Sequence, residues 1–385
     1  MKETLKINNF GPIKDVDLDL KKVNVFIGDQ GTGKSTVAKL LSVMKLFTHF
    51  SIFYQDEPTV EQSHTWQFNQ YLKQFELDTL VNSTTSIFYS NGDFKIHFEK
   101  GECNKSLVDN SIFRAGIVNY IIAERSMVSM LENALFAIIE VGAKLPTLFN
   151  RFGIKYNKAR TEINRGWYKN ILGVDFRHNK GIDYVYDADV DLNVPLKFAS
   201  SGIQGTIPLL VLLESVVEKI HLGGRFGLIK DNFLVIEEPE INLFPSTQNK
   251  LLKHIIKENI DVQFKEEVDE NGMIRYDEKN PKRYYKNQLL ITTHSPYILS
   301  SLNNLMYAFL VGTKNDKLIS VDKIIESKCW LNPNDVTCYL LKNGTYENIM
   351  DKESGLIDTL KIDDASDIIN EEFDKLMAIE LETEN

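Results

Sequence analysis

The sequence predicts an α/β fold, a mixed sheet flanked by helices and interrupted by a helical insert. Three strand-to-loop transitions predict it. Val23-Asn24-Val25-Phe26-Ile27 is a short, mostly apolar run that delivers Gly28-Asp29-Gln30-Gly31-Thr32-Gly33-Lys34-Ser35-Thr36, after which Val37 to Met44 takes helical spacing. Phe233-Leu234-Val235-Ile236 ends in Glu237-Glu238-Pro239-Glu240, and Leu289-Leu290-Ile291-Thr292-Thr293 ends in His294-Ser295-Pro296. Nearly continuous apolar strands are what a sheet covered on both faces requires, and ligands collect at the carboxyl edge of such a sheet.

The first transition fits the pattern G-x-x-x-x-G-K-[ST] between a strand and a helix, which makes the fold a P-loop NTPase. Glycines let the backbone curl with its N–H groups turned inward around phosphate oxygens, and the helix N-terminus adds partial positive charge. Gly28, Asp29, Gln30, Gly31, Thr32, Gly33, Lys34, Ser35 and Thr36 are therefore expected to bind a nucleoside triphosphate. Lys34 would reach the β- and γ-phosphates and the Ser35 hydroxyl would ligate Mg²⁺. Two carboxylates after a buried strand, downstream of such a loop, are its expected second half. One helps hold Mg²⁺ and the other polarises the attacking water.

Composition bounds the rest. At 385 residues and 43% hydrophobic, two lobes or one domain with insertions is expected. Cys103, Cys329 and Cys338 form neither a disulfide framework nor a zinc pattern, which fits a reducing cytoplasm. No apolar leader opens the chain, and the most apolar run, Ile207 to Val217, is too short to span a bilayer. A cytoplasmic protein with no membrane partner is expected. The net charge of −10 is uneven: residues 351–385 carry twelve acidic and three basic side chains, whereas 150–180 carry eight Lys/Arg against Glu162 and Asp175.

In chain order, Leu5 and Ile7, then Val16, Leu18 and Leu20, alternate as two strands about Gly11-Pro12. Residues 47–80 hold helical stretches without a motif. Ser86 to Glu99 reads as a hairpin around Asn91-Gly92. Tyr120-Ile121-Ile122 is a buried strand ending in Ala123-Glu124-Arg125, and Ser126 to Ala143 reads as a helix capped by Ser126. Residues 150–185 form the basic helical insert. Asp187, Asp189 and Asp191 read as one solvated strand face rather than a metal site. Ser200-Ser201-Gly202 precedes the apolar helix Ile207 to Ile220, an arrangement that suits an anion or a plain helix cap. Residues 261–287 read as an inserted hairpin around Asn271-Gly272. Beyond His294, Tyr307 to Val311 reads as a strand, Val336 to Leu341 as a helix, and Ile368 to Leu381 as an acidic helical end.

These stretches, together with Asn9-Phe10-Gly11-Pro12-Ile13, resemble the ABC-type ATPase heads of the RecF, SMC and OLD (overcoming lysogeny defect) group. The likeness is to the small bacterial branch of AAA-like ATP-binding proteins, and it spans residues 1–300. The resemblance implies a mixed ABC/SMC-head-like sheet and a division into four parts. These are 1–125, an ATPase lobe with the P-loop and antiparallel strands; 126–197, the insert; 198–300, the signature, Walker B and switch-histidine lobe; and 301–385, a C-terminal extension with an acidic tail. It implies that Ser200, Ser201 and Gly202 contact ATP held by a second protomer. Glu237 would be the Mg²⁺-side acid, Glu238 the general base, and His294 the switch histidine sensing the γ-phosphate. Glu240 to Leu243 would be the D-loop, with Asn242 where histidine is frequent.

Two features stay open. The Q-loop glutamine has no assignment among Gln55, Gln62, Gln67, Gln70 and Gln74. Arg125 is divided between work near the phosphates and a structural ion pair. OLD nucleases add a Toprim domain, but Asp363-Asp364 follows no apolar strand, so no nuclease is expected here. The resemblance implies an ATP-hydrolysing homodimer, or higher even-numbered oligomer, formed through an ATP sandwich. It also implies the ATPase component of an antiphage system with a separately encoded nuclease or toxin effector. A RecF-like repair ATPase gripping DNA through 150–180 is the alternative, and a transporter ATPase is a more distant one.

Overall fold

The computed structural model describes residues 2–50, 63–108, 115–131, 144–224, 230–260, 266–268, 274–276, 287–314 and 317–362. Strands β1 (Glu3–Phe10) and β2 (Ile13–Leu20) pair antiparallel across the Gly11-Pro12 turn, with Leu5, Ile7, Val16 and Leu18 fully buried on one face. Strand β3 (Val23–Ile27) is buried at every position and runs into the phosphate loop and helix α1 (Lys34–Phe50). Helix α2 (His64–Gln74) is capped by the Ser63 hydroxyl, which accepts from the Trp66 N–H. The Asn91-Gly92 hairpin forms as expected from β4 (Ser86–Ser90) and β5 (Phe94–Glu99). Asn91 Oδ1 accepts from the N–H groups of Asp93 and Phe94, and β6 (Glu102–Leu107) extends the sheet. These strands form a five-stranded antiparallel sheet ordered β2-β1-β4-β5-β6.

Strand β7 (Ala115–Ile121) leads through a single turn, Ala123–Arg125, into helix α3 (Ser126–Met130). Ser126 does not cap this helix: its first turn continues directly from Arg125, already in a helical conformation, so no orphan N–H faces the hydroxyl. Residues 132–143, the remainder of the expected helix, lie outside the described residues. The insert is helical only in part. Helix α4 (Thr147–Ile163) and the short α5 (Lys169–Leu172) pack with β8 (Arg165–Gly166), β9 (Asp175–Asn179), β10 (Ile182–Asp187) and β11 (Leu192–Pro195). The strands form a four-stranded antiparallel sheet, β11-β10-β9-β8. Asp187, Asp189 and Asp191 do not share a strand face. Asp187 ends β10, Asp189 lies in the turn that follows, where Lys169 bonds both, and Asp191 takes a left-handed backbone. No cluster of metal-binding side chains occurs among the described residues.

Helix α6 (Ser201–Gly224) starts at the Ser-Ser-Gly stretch and carries Pro208 in its interior. Strand β12 (Lys230–Glu237) ends at the two carboxylates, and α7 (Pro245–Ile260) follows. The short pair β13 (Glu266–Val268) and β14 (Ile274–Tyr276) flanks the expected Asn271-Gly272 turn, itself outside the described residues. Strand β15 (Asn287–Thr293), buried at all seven positions, leads into α8 (Pro296–Gly312), capped by the Ser295 hydroxyl. Tyr307 to Val311 therefore lies inside a helix. After α9 (Leu318–Asp322), the Val336 to Leu341 run is not a helix but strand β16 (Val336–Lys342), paired antiparallel with β17 (Thr345–Asn348). The run is β-branched and aromatic, and β3 supplies the ladder it needs.

The central sheet is ordered β17-β16-β3-β15-β12-β7, and every pair except β16–β17 is parallel. Residues 301–385, expected as an extension, thus send β16 into the sheet beside the phosphate-loop strand. The acidic end, Ile368 to Leu381, lies outside the described residues. Among those described, no helix is long and apolar enough to cross a membrane.

Candidate active site

Four neighbouring parallel strands, β3, β15, β12 and β7, release their chains at the same carboxyl edge. Their loops carry, respectively, Gly28–Thr36, His294, Glu237-Glu238 and Arg125. A parallel sheet with this strand order therefore gathers residues up to 266 positions apart in sequence, and no turn or helix in isolation would do so.

The phosphate loop needs its glycines where the chain is crowded. Gly28 has φ +150°, and a Cβ there would lie 2.2 Å from the Leu341 carbonyl oxygen; Gly33 has φ +97°, and its Cβ would lie 2.4 Å from Ile13 Cδ1. Lys34 is 5% exposed. Its ammonium donates to the carbonyls of Gly28 (2.7 Å) and Asp29 (2.8 Å) and lies 3.5 Å from His294 Nδ1. Burial lowers its pKa, while Glu238, Asp29 and Glu240 oppose that change. A cavity of about 260 Å³ opens here, lined by residues from Gln30 through Thr36 together with Pro12, Glu238 and His294.

The two carboxylates of β12 have different surroundings. Glu237 is 5% exposed, accepts from the Tyr120 hydroxyl (2.8 Å) on Oε1 and from the Ala123 N–H (3.3 Å) on Oε2. Burial and the adjacent Glu237 both raise the Tyr120 pKa, so its hydroxyl stays a donor. Glu238 is 30% exposed, takes φ +43°, and places Oε1 3.3 Å from His294 Nε2. Glu240 binds the loop that follows β15: its Oε1 accepts from Thr293 Oγ1 (2.7 Å) and the His294 N–H (2.8 Å).

The chemistry of the donor set fits a hydrated Mg²⁺ carried in by a nucleotide. Ser35 lines the cavity; Glu237 is not among the residues lining it, but each of its oxygens keeps a lone pair beyond a single hydrogen bond. Buried polar atoms at this edge, Thr292 Oγ1 and Glu240 Oε2, have no protein partner among the described residues, which suits bound water. One hydroxyl and one carboxylate leave most of an octahedral shell to waters and phosphate, as Mg²⁺ prefers.

Ser200 and Ser201 are exposed and stand apart from this cavity. Gly202 is buried against the chain's own 240–243 segment, where a Cβ would come within 2.5 Å of the Asn242 carbonyl oxygen. Gln204 Nε2 braces the turn before the helix by donating to the carbonyls of Lys197 (2.7 Å) and Ala199 (2.9 Å). Arg125, left open by the sequence, is 1% exposed and bonds only backbone carbonyls in the described structure. Gln67, Gln70 and Gln74 belong to α2 and do not line the cavity; Gln55 and Gln62 lie outside the described residues.

Two contacts of this site escaped the sequence reading, the Tyr120 hydroxyl on Glu237 and the Glu240 carboxylate on the His294 loop, as did the brace that Gln204 sets before α6. Tyr120 was in hand as part of a buried strand, but only the parallel pairing of β7 with β12 places its hydroxyl on Glu237.

Residues 1–107 and 129–299 match the AAA ATPase domain family. The chain belongs to that family. No curated protein sequence matches it. Among solved structures it is similar to the SMC head domain from Thermotoga maritima, at 11% identity and TM-score 0.38, covering 90% of this chain and 98% of that one. It is also similar to an SMC head bound to the C-terminal winged-helix domain of ScpA, at 10% identity and TM-score 0.41, covering 90% and 97%. A third is the recombination mediator RecF with an ATP analogue, at 11% and 0.38, covering 91% and 98%. For this member of the AAA ATPase domain family, the matched segments contain the phosphate loop, both carboxylates and His294.

The basic stretch of the insert is largely committed within the fold. Lys155 Nζ donates to the Val118 carbonyl and Asn119 Oδ1, both at 3.0 Å, and Arg160 bonds the buried Asp183 at 3.0 Å. Lys158 remains 69% exposed, 3.9 Å from Glu162.

Proposed function

We propose that this chain is an ATP-binding and ATP-hydrolysing switch that works as a dimer. The observation that carries the reading is the convergence of Lys34, Glu238 and His294 on one cavity under the phosphate loop, while Ser200 and Ser201 stand exposed away from it. The Gly28–Thr36 amides would hold the phosphates and the Lys34 ammonium would move from loop carbonyls to β/γ oxygens. Ser35 and Glu237 would hold Mg²⁺, which supplies charge neutralisation at the β- and γ-phosphates. Glu238 would orient the attacking water and take its proton, and His294, 3.3 Å away, would couple that carboxylate to the γ-phosphate.

In the same reading, Ser200, Ser201 and Gly202 address ATP held by a second copy, giving two shared sites about a two-fold axis. Phe198 and Phe244, 71% and 76% exposed, flank the signature and the D-loop and would be covered in that dimer. A cytoplasmic location extends the proposal on the cysteine usage, and control of a separate nuclease or toxin in antiphage defence extends it on the sequence resemblance alone. The DNA-gripping alternative is weaker, because Lys155 and Arg160 already serve the fold.

The deciding experiment is Glu238→Gln, which keeps the side-chain shape and an oxygen for His294. ATP affinity should remain and turnover should fall at least ~100-fold, the scale for a positioned general base. ATP should then hold the variant as a dimer in sedimentation. Wild-type turnover in Glu238→Gln would overturn the reading.

A further inference from the structure

The signature helix and the catalytic carboxylates are joined inside one chain by a single buried guanidinium. Pro208 lacks the N–H that would bond the Gln204 carbonyl one turn earlier, so the first turn of α6 loses part of its tie to the rest of that helix. Side chains from the segment after β7 take over. Ser129 Oγ donates to the Gln204 carbonyl (3.2 Å), and Arg125 Nε donates to the next carbonyl, Gly205 (2.9 Å). The other end of the Arg125 fork reaches β12: Nη1 donates to the carbonyls of Glu237 (2.7 Å) and Ile122 (3.1 Å), and Nη2 to that of Glu238 (2.9 Å).

Burying a guanidinium is costly, and carbonyls alone could be satisfied by neutral donors. What Arg supplies is a planar fork of donors that serves several segments at once in fixed relative positions. Burial lowers its pKa to about 10, with Glu240, Glu238, Glu237 and Glu124 opposing, so it stays charged at neutral pH. Glu238 needs such a hold. It is a non-glycine residue at φ +43°, fixed by its own N–H on the Thr292 carbonyl (2.8 Å) and by Arg125 on its carbonyl.

We propose that Arg125 is a positioning residue. It fixes the Glu238 carboxylate and the first turn of α6 in one relation, so that a displacement of the signature is felt at the base and the reverse. This rests on Glu238 acting on the attacking water. Arg125 touches neither nucleotide nor water in the proposal and acts only through backbone.

The test is Arg125→Lys in the full chain, compared with wild type and with Leu72→Ala, which truncates a fully buried core residue of α2 outside the segments that Arg125 joins and lowers stability there. Lysine keeps the charge but cannot span Gly205 and both glutamate carbonyls. Its kcat should fall about 10- to 100-fold, the cost of an ångström-scale misplacement, with KM for ATP within about threefold. Leu72→Ala should keep kcat within about twofold at a temperature where both variants are folded. Hydrogen exchange, read without nucleotide, should rise in Arg125→Lys for both 201–206 and 237–243, and in neither for Leu72→Ala. A wild-type kcat in Arg125→Lys, or a rise confined to one of the two segments, would overturn the proposal. Absence of turnover in wild type itself would instead overturn the ATPase reading, and the exchange data would still decide the tether.

Discussion

Tyr120→Phe isolates the charge state of Glu237. The substitution removes one hydroxyl from a buried site and leaves the ring's packing against Phe75 in place, with centroids 5.9 Å apart. The lost bond is 2.8 Å long and ends on a carboxylate that is 5% exposed. A hydrogen bond to an ionised group contributes about 1.5–3 kcal/mol, whereas one between neutral groups contributes about 1 kcal/mol. The remaining donor to Glu237, the Ala123 N–H, is at 3.3 Å on the other oxygen and cannot compensate. Tyr120→Phe should therefore lower unfolding free energy by about 1.5–3 kcal/mol. Urea denaturation of wild type, Tyr120→Phe, Glu237→Gln and the double variant closes a cycle whose coupling, the ionised-acceptor bond less the neutral one, should lie between about 0.5 and 2 kcal/mol. The Mg²⁺ concentration for half-maximal ATP turnover should rise in Tyr120→Phe, because Glu237 loses the contact that orients it. Coupling below about 0.5 kcal/mol would mean that Glu237 is not held as a charged acceptor, and the argument for it as the Mg²⁺-side acid would fail.

Lys34→Ala should abolish ATP binding in calorimetry, since it removes the only ammonium lining the described cavity; retained affinity would contradict the phosphate-site assignment. Mixing tests the shared site: Lys34→Ala spoils a chain's own phosphate loop, and Ser201→Glu sets a carboxylate at an exposed signature position while remaining compatible with a helix N-terminus. Each homodimer should be inactive, and free subunit exchange should restore roughly a quarter of wild-type sites, because half the dimers are hybrids holding one intact site. Full activity in pure Ser201→Glu would show that the chain hydrolyses ATP alone. Ser201 serves better than Gly202 for this test, because a Cβ at Gly202 would lie 2.5 Å from the Asn242 carbonyl oxygen of its own chain and disturb folding first.

What was legible in the sequence was what short range encodes. The phosphate loop, the apolar strand before Glu237 and the strand before His294 each announce themselves within ten residues. The errors share a cause. Val336 to Leu341 and Tyr307 to Val311 are apolar runs too short for periodicity to divide strand from helix. The first became a strand because β3 offered an open parallel edge, and the second a helix because Ser295-Pro296 had already started one. The Ser295 cap was readable and outweighed the local run. Arg125 could not be resolved from sequence because its partners are carbonyl oxygens, which every residue has. The partners of the basic stretch at 150–180 were equally hard to read, since Asp183 and the Asn119 amide that engage Arg160 and Lys155 lie outside it.

The paired glutamates show why the backbone, and not the residue type, separates the two roles. Successive side chains on a strand point to opposite faces, so a β12 that simply continued would send Glu237 and Glu238 to opposite sides of the sheet. The ladder instead stops at Glu237, whose partner on β15 is Thr292, and Glu238 turns to φ +43° with its N–H still held by the Thr292 carbonyl. That turn leaves Glu237 in the buried layer with Tyr120 and brings Glu238 round to His294 and the cavity. A left-handed backbone at a non-glycine residue costs on the order of 1 kcal/mol and persists only where its surroundings fix it. Here the Thr292 carbonyl and the Arg125 guanidinium do so from either side of the peptide. Two chemically identical carboxylates thus acquire different solvation, different partners and different reach from a single change of φ.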